Sequence, residues 1–301
     1  MFGTTTKRIA TMAVAAGLGL SLAACGSDSG SGGDEGKGTV TLGIIPSWTD
    51  GLSTALLWEN VLEDKGYDVE IKELSEAGPL YEGLAGGDID VYPSAWPQVT
   101  HKAYMEDHGD DLEDLGSYYD NAKLTLAVPE YSKLKSIEDL IGKSGDYDGK
   151  IVGIEQGAGL TAAVQDKVIP DYKLDKDGWE LQTSSTNAMT TALGDAVDAK
   201  EDIVVTLWRP FWANAQFGMR DLEDPKGSLG EPETLNEVAN KDFSGEFPEV
   251  AEMMGKAKLD DEQYGALEKG VVDAGDDEDA QREAVAAWIK DHQDWVDGLG
   301  G

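Results

Sequence analysis

Cysteine is almost missing from this chain: Cys25 is the only one in 301 residues, and histidine occurs three times. A lone thiol rules out an internal disulfide framework. The dispersed His101, His108 and His292 give no metal-ligand spacing, so no metal site and no cofactor are expected. No Ser/His/Asp set, available thiol or cofactor motif stands out, which argues against an enzyme. Positive charge is also scarce, with Lys+Arg 24 against Asp+Glu 59 and a net charge of −35. That excess repels phosphate backbones and anionic membrane surfaces, so nucleic acid is not the expected partner. Beyond the N-terminus, no hydrophobic run approaches the length of a membrane span.

What is present begins with a processing signal. Lys7 and Arg8 precede an apolar, small-residue run from Ile9 to Ala24 that is short for a membrane span. Its end, Leu22-Ala23-Ala24-Cys25-Gly26, resembles a bacterial lipobox. Residues 1–24 are therefore expected to be a lipoprotein signal peptide. Lipidated Cys25 then becomes the N-terminus and anchors an extracytoplasmic protein to the cell membrane. The Gly-, Ser- and Asp-rich stretch after it predicts a flexible tether over 25–38.

From Thr39 the chain alternates strand-like and helix-like segments. Strands are expected at 39–45, 69–74 and 88–92, with helices at 52–62 and 80–84 between them. The pattern restarts with strands at 124–128, 150–154, 179–183 and 202–208, and helices at 137–141, 157–168 and 187–197. Short glycine-bearing joints argue for α/β units with a mainly parallel sheet. The last third reads as helical, at 247–256, 260–273 and 279–297. The expected organisation is a first lobe over 39–127, a second over 128–212, and a tail over 213–301 that packs back on the first. A chain that crosses twice between lobes provides a hinge.

Tryptophan is abundant, at 8 against 5 Phe. Trp58 lies on the apolar face of the first helix and Trp179 opens a strand, so both read as core. Trp288 and Trp295, seven apart, share a helix face that docks the helix to the body. Trp48, Trp96 and Trp208 differ, because each sits at or just beyond the C-terminal end of an expected strand. In open parallel sheets that edge is where ligands bind. Each alone is more often core, but together they form a constellation suited to a quaternary ammonium group. Such a group donates no hydrogen bond, and indole faces attract it by cation–π interaction. Gly157-Ala158-Gly159-Leu160 follows a strand and opens a helix, a turn whose amides suit an anion, although such turns are often merely tight connections. His101 adds a possible donor. A pocket holding both features fits a small zwitterion.

At these residues the chain resembles a known family. Trp48-Thr49-Asp50, Ser94-Ala95-Trp96-Pro97 with His101, Gly153 to Gly159, Gln182 to Thr190, Glu201 to Trp212 and Asp224 to Gly227 are similar to the glycine betaine-binding lipoproteins of ABC importers. The resemblance covers the chain from about Thr39 onward. It implies a two-lobed, periplasmic-binding-protein-like (type II) α/β fold with the ligand cleft between the lobes. It also implies a tryptophan prism of Trp48, Trp96 and Trp208, with a carboxylate held by the Gly159 and Leu160 amides and His101. Trp212 matches a second aromatic position outside the direct contact. The partners implied are glycine betaine and the ABC permease subunits in the membrane, and the protein is expected to be a monomer. Choline, carnitine or proline betaine is the alternative ligand on the same fold. An enzyme acting on quaternary amines and a surface adhesion lipoprotein are the readings from other classes.

Overall fold

The computed structural model describes residues 36–300. The expected signal peptide, Cys25 and the tether as far as Glu35 lie outside the described residues. The chain enters through β1 (Thr39–Ile44), α1 (Thr49–Asp64), β2 (Asp68–Glu73), α2 (Ala77–Gly86), β3 (Val91–Ala95) and α3 (Lys102–His108). The first helix turns its Ala55, Leu56, Leu57, Trp58, Val61 and Leu62 inward. Gly66, at φ 89°, lets the chain reverse into β2. Strand β1 pairs in parallel with both β2 and β3.

The next strand, β4 (Leu112–Pro129), belongs to both halves of the molecule. After it come β5 (Lys150–Val152), α4 (Gly159–Ala163), α5 (Ile169–Tyr172), β6 (Glu180–Gln182), α6 (Thr186–Ala199) and β7 (Val205–Arg209). One wider helical turn, Val164–Val168, joins α4 to α5 into a continuous helical stretch. β5 pairs in parallel with β6 and β7, and β7 runs antiparallel to the 123–127 segment of β4. The short helix α7 (Ala213–Gln216) and β8 (Met219–Asp221) stay with this second group, β8 pairing with residues 127–129. The return to the first group therefore begins later than 213.

That return is made by β9 (Glu233–Asn240), which inserts antiparallel between β3 and the 112–122 segment of β4. The helices α8 (Phe243–Glu246), α9 (Pro248–Lys256), α10 (Asp261–Asp273), α11 (Glu278–Asp291) and α12 (Gln293–Leu299) follow. Of these, α10 and α11 pack on α1, and α9 on β4. The resulting strand order, β2-β1-β3-β9-β4-β7-β5-β6, makes one mixed sheet rather than a mainly parallel one.

The helical reading of the last third omits β9, and the strand expected at 124–128 is only the second part of β4, which begins at Leu112. The expected helix over 279–297 is two helices meeting at His292. Trp288 and Trp295 still meet, ring centroids 5.5 Å apart, and Trp295 lies 6.5 Å from Trp58. Trp179 is buried, with its indole N–H on the Leu140 carbonyl at 3.0 Å.

Candidate functional site

Where the C-terminal ends of the two parallel strand groups face each other lies a narrow cleft. Its wall contains Trp48, Trp96 and His101 from the loops after β1 and β3, and Gly159, Leu160 and Trp208 from the turns after β5 and at the end of β7. All six residues expected to act together thus line one space. Asp50, Thr100, Leu124, Ile154 and Ala158 complete the wall. A wider groove runs alongside, past Leu52, Thr186, Trp212 and Asp276, and contains none of the six. Trp212 therefore stands outside the narrow cleft, packed on Phe211 at 5.5 Å.

Each indole is fixed by a different neighbour. Trp96 donates its Nε1–H to Asp50 Oδ2 at 3.0 Å, and Ser94 Oγ donates to the same oxygen at 2.7 Å. Trp48 stacks on His101, at 6.0 Å and 17° between planes, and donates its Nε1–H to Glu155 Oε2 at 3.1 Å. Trp208 stacks on Phe211 at 4.0 Å, and Asn214 holds its backbone carbonyl at 2.8 Å. All three rings are buried, so little water competes for their faces.

The loop carrying His101 is held from the returning strand: Glu233 accepts from the Val99 amide at 2.8 Å and the Thr100 amide at 3.0 Å. The Trp96 amide donates to His101 Nδ1 at 3.1 Å, which leaves the ring proton on Nε2. Burial pushes this imidazole down to about 3, so at neutral pH it is an uncharged donor. Burial raises the Asp50 carboxyl above its ordinary range, and the hydrogen bonds from Ser94 and Trp96 oppose the shift. Burial also lifts Glu268 to about 7, against the hydrogen bond from Thr49. His292, by contrast, stacks on Trp288 at 4.1 Å, away from the cavity. Among the described residues no group of three His, Cys, Asp or Glu could hold a metal ion.

Gly159 and Leu160 begin α4, where amides have no carbonyl one turn back to bind. Gly159 is required sterically as well. A Cβ there would lie 1.9 Å from the Thr100 carbonyl oxygen, well inside contact distance. The two strand-end segments meet at this glycine.

The chain matches the family model for the substrate binding domain of the ABC-type glycine betaine transport system over residues 38–291. It belongs to that family. That family is one of importers' substrate-binding domains and not of enzymes. The glycine betaine/carnitine transport binding protein GbuC of Listeria monocytogenes serotype 1/2a (strain 10403S) is 37% identical over 153 residues. That match spans 50% of this chain and 49% of the relative, about half of each. The lactococcal OpuAC structure, closed on glycine betaine, superposes with a TM-score of 0.79 at 32% identity, covering 87% of this chain and 99% of that one. A choline-binding protein of an ABC transporter, solved with choline, has TM-score 0.76 at 24% identity over 87% of this chain and 92% of that one, a likeness of fold. The fold is that of the two-lobed substrate-binding proteins.

Asp50 and Glu155 were not singled out from the sequence. Among 59 acids neither carries a compositional signal. Only their positions, two residues after Trp48 and two before Gly157, distinguish them.

Two outcomes follow from this geometry. Gly159→Ala should abolish ligand-induced closure while leaving the melting temperature within a few degrees, because the added methyl obstructs only the seam. Small-angle scattering with and without ligand measures this. For His101, the folded value of about 3 lies below the unfolded 6.5, so the unfolded state binds more protons between them. Its stabilising contribution is present above the unfolded value and is lost as pH falls through that window. On acidification from about pH 7 to pH 4 the wild type should lose roughly 3 kcal/mol more than His101→Gln in denaturant titrations. The raised carboxylates Asp50 and Glu268 have the opposite sign but occur in both chains, so they cancel in the difference.

Proposed function

We propose that the protein captures glycine betaine between its lobes and delivers it to the permease of its importer. The observation that supports this most is the convergence of three indoles and the opening amides of α4 on one cavity. A trimethylammonium group cannot donate a hydrogen bond, so a carboxylate alone gives it only a diffuse attraction. Indole faces match its size and contribute roughly 2 kcal/mol or more each when desolvated. In this reading Trp48, Trp96 and Trp208 surround the cation. The Asp50 carboxylate, at the edge of the Trp96 ring, adds negative potential and fixes that ring. The ligand carboxylate accepts from the Gly159 and Leu160 amides and from His101 Nε2–H.

Closure follows from this division of contacts. Trp48, Trp96 and His101 follow strands of the first group, whereas Trp208, Gly159 and Leu160 belong to the second. A ligand that touches both sets favours the closed form by its contacts there. We assign the hinge to the two crossings between groups, β4 near Ala122 and the segment 222–232. Asn121, at φ 69°, and the register shift between Tyr119 and Ala122 mark the first crossing as irregular. We further propose that Cys25 is the lipid anchor and that the protein acts as a monomer. Among the described residues no helix is long and apolar enough to cross a membrane.

Carnitine, named for the Listeria relative, is the second ligand to test, with choline and proline betaine beside it. Tryptophan fluorescence titrated with all four should rank glycine betaine first. Trp208→Ala should weaken it by about thirtyfold or more, the loss of one desolvated cation–π face. An unchanged affinity in that variant would remove the cage assignment.

A further inference from the structure

The indole N–H groups of Trp96 and Trp48 are satisfied differently. Trp96 donates to Asp50, a residue of the same strand group, so that bond exists whether or not the lobes meet. Trp48 follows β1, yet its N–H is accepted by Glu155, which follows β5 on the opposite side. Ser47 Oγ reaches the other oxygen of the same carboxylate at 3.4 Å. Glu155 does not line the cavity, and it is buried behind the indole.

We propose that Glu155 is the positioning residue of the cage: it fixes the Trp48 ring across the cleft, and only in the closed form. This rests on the glycine betaine reading above. The carboxylate is placed in advance from its own side. Thr186 donates to it through both its backbone N–H and its Oγ1, each at 2.8 Å. Thr186 is the first residue of α6, so the positive end of that helix faces the carboxylate. From its own side Trp48 is held by the stack on His101 and by packing, with no hydrogen bond to its N–H. That stack leaves the ring free to slide or tilt in its plane, with its N–H in water when the lobes part. On closure the N–H exchanges water for a buried, charged acceptor, a strong class of hydrogen bond. The last wall of the cage is therefore set by a group that never touches the ligand. Ligand affinity includes the worth of this bond.

Calorimetric titration of glycine betaine tests the proposal on four proteins: the wild type, Glu155→Gln, the protein with Trp48 replaced by its benzothiophene analogue, and the combination. The analogue keeps the ring shape and replaces the N–H by sulfur, leaving the second lobe untouched. Each single change should weaken binding by about tenfold to a hundredfold, the range for a hydrogen bond to a charged group. The combination should be no more than about threefold worse than Glu155→Gln alone, because both changes remove the Trp48–Glu155 bond. Spin-label distances between the lobes should show less closed form at equal ligand in each single variant. Glu155→Asp, which keeps the charge, should recover part of the loss. Wild-type affinity in the benzothiophene protein, or two effects that multiply, would overturn the role of Glu155. A wild type that binds no glycine betaine would sink the proposed function itself.

Discussion

The cavity exists because two backbone segments meet at a point where no side chain fits. Gly159 approaches the Thr100 carbonyl so closely that even a methyl group would collide. This contact brings the opening turn of α4 against the loop that carries Trp96 and His101. Neighbouring contacts reinforce it: Tyr104 donates its hydroxyl proton to the Gly157 carbonyl at 2.8 Å, and the Gly157 amide donates to Glu76 at 3.0 Å. Both glycines of the turn are thus used at the seam. At Gly159 the lack of a side chain is a packing requirement before it is a ligand-binding one.

Buried carboxylates organise the surroundings of that seam. Asp50 holds Trp96, Glu233 holds the amides of Val99 and Thr100, and Glu155 joins Trp48 to Thr186. These acids bind neutral N–H and O–H groups rather than cations. A hydrogen bond from a neutral donor fixes a direction, and direction is what an indole face needs in order to present itself to a cation. Among the described residues the ion pairs lie elsewhere, as in Lys123 and Arg209 on Asp221, or Arg282 on Glu59.

The tryptophans at strand ends were legible in the sequence because strand, loop and indole follow one another directly in the chain. The alternation of strands and helices gave the α/β class for the same reason. Strand β9 was hidden by its own polar residues. Glu233, Asn236 and Glu237 are buried in it, and a run with so many polar positions does not read as a buried strand. Each finds a partner far away in sequence: Glu233 at Thr100, Asn236 at Asp114 and Glu237 at Trp58. The first half of β4, rich in acids, was obscured similarly. Glu155 and Asp50 could not be recognised because their roles depend on where distant segments meet, and no local pattern encodes that.

The central claim is that the cavity selects a cation by indole faces and not merely a small carboxylate by size. Glycine betaine has a near-isosteric analogue, 3,3-dimethylbutanoate, in which carbon replaces the quaternary nitrogen and the positive charge is lost. Calorimetric titration of both ligands into the wild-type protein separates shape from charge. The account predicts that betaine binds at least about a hundredfold more tightly, since cation–π attraction at several desolvated faces is lost in the analogue. Equal affinities for the two would contradict it.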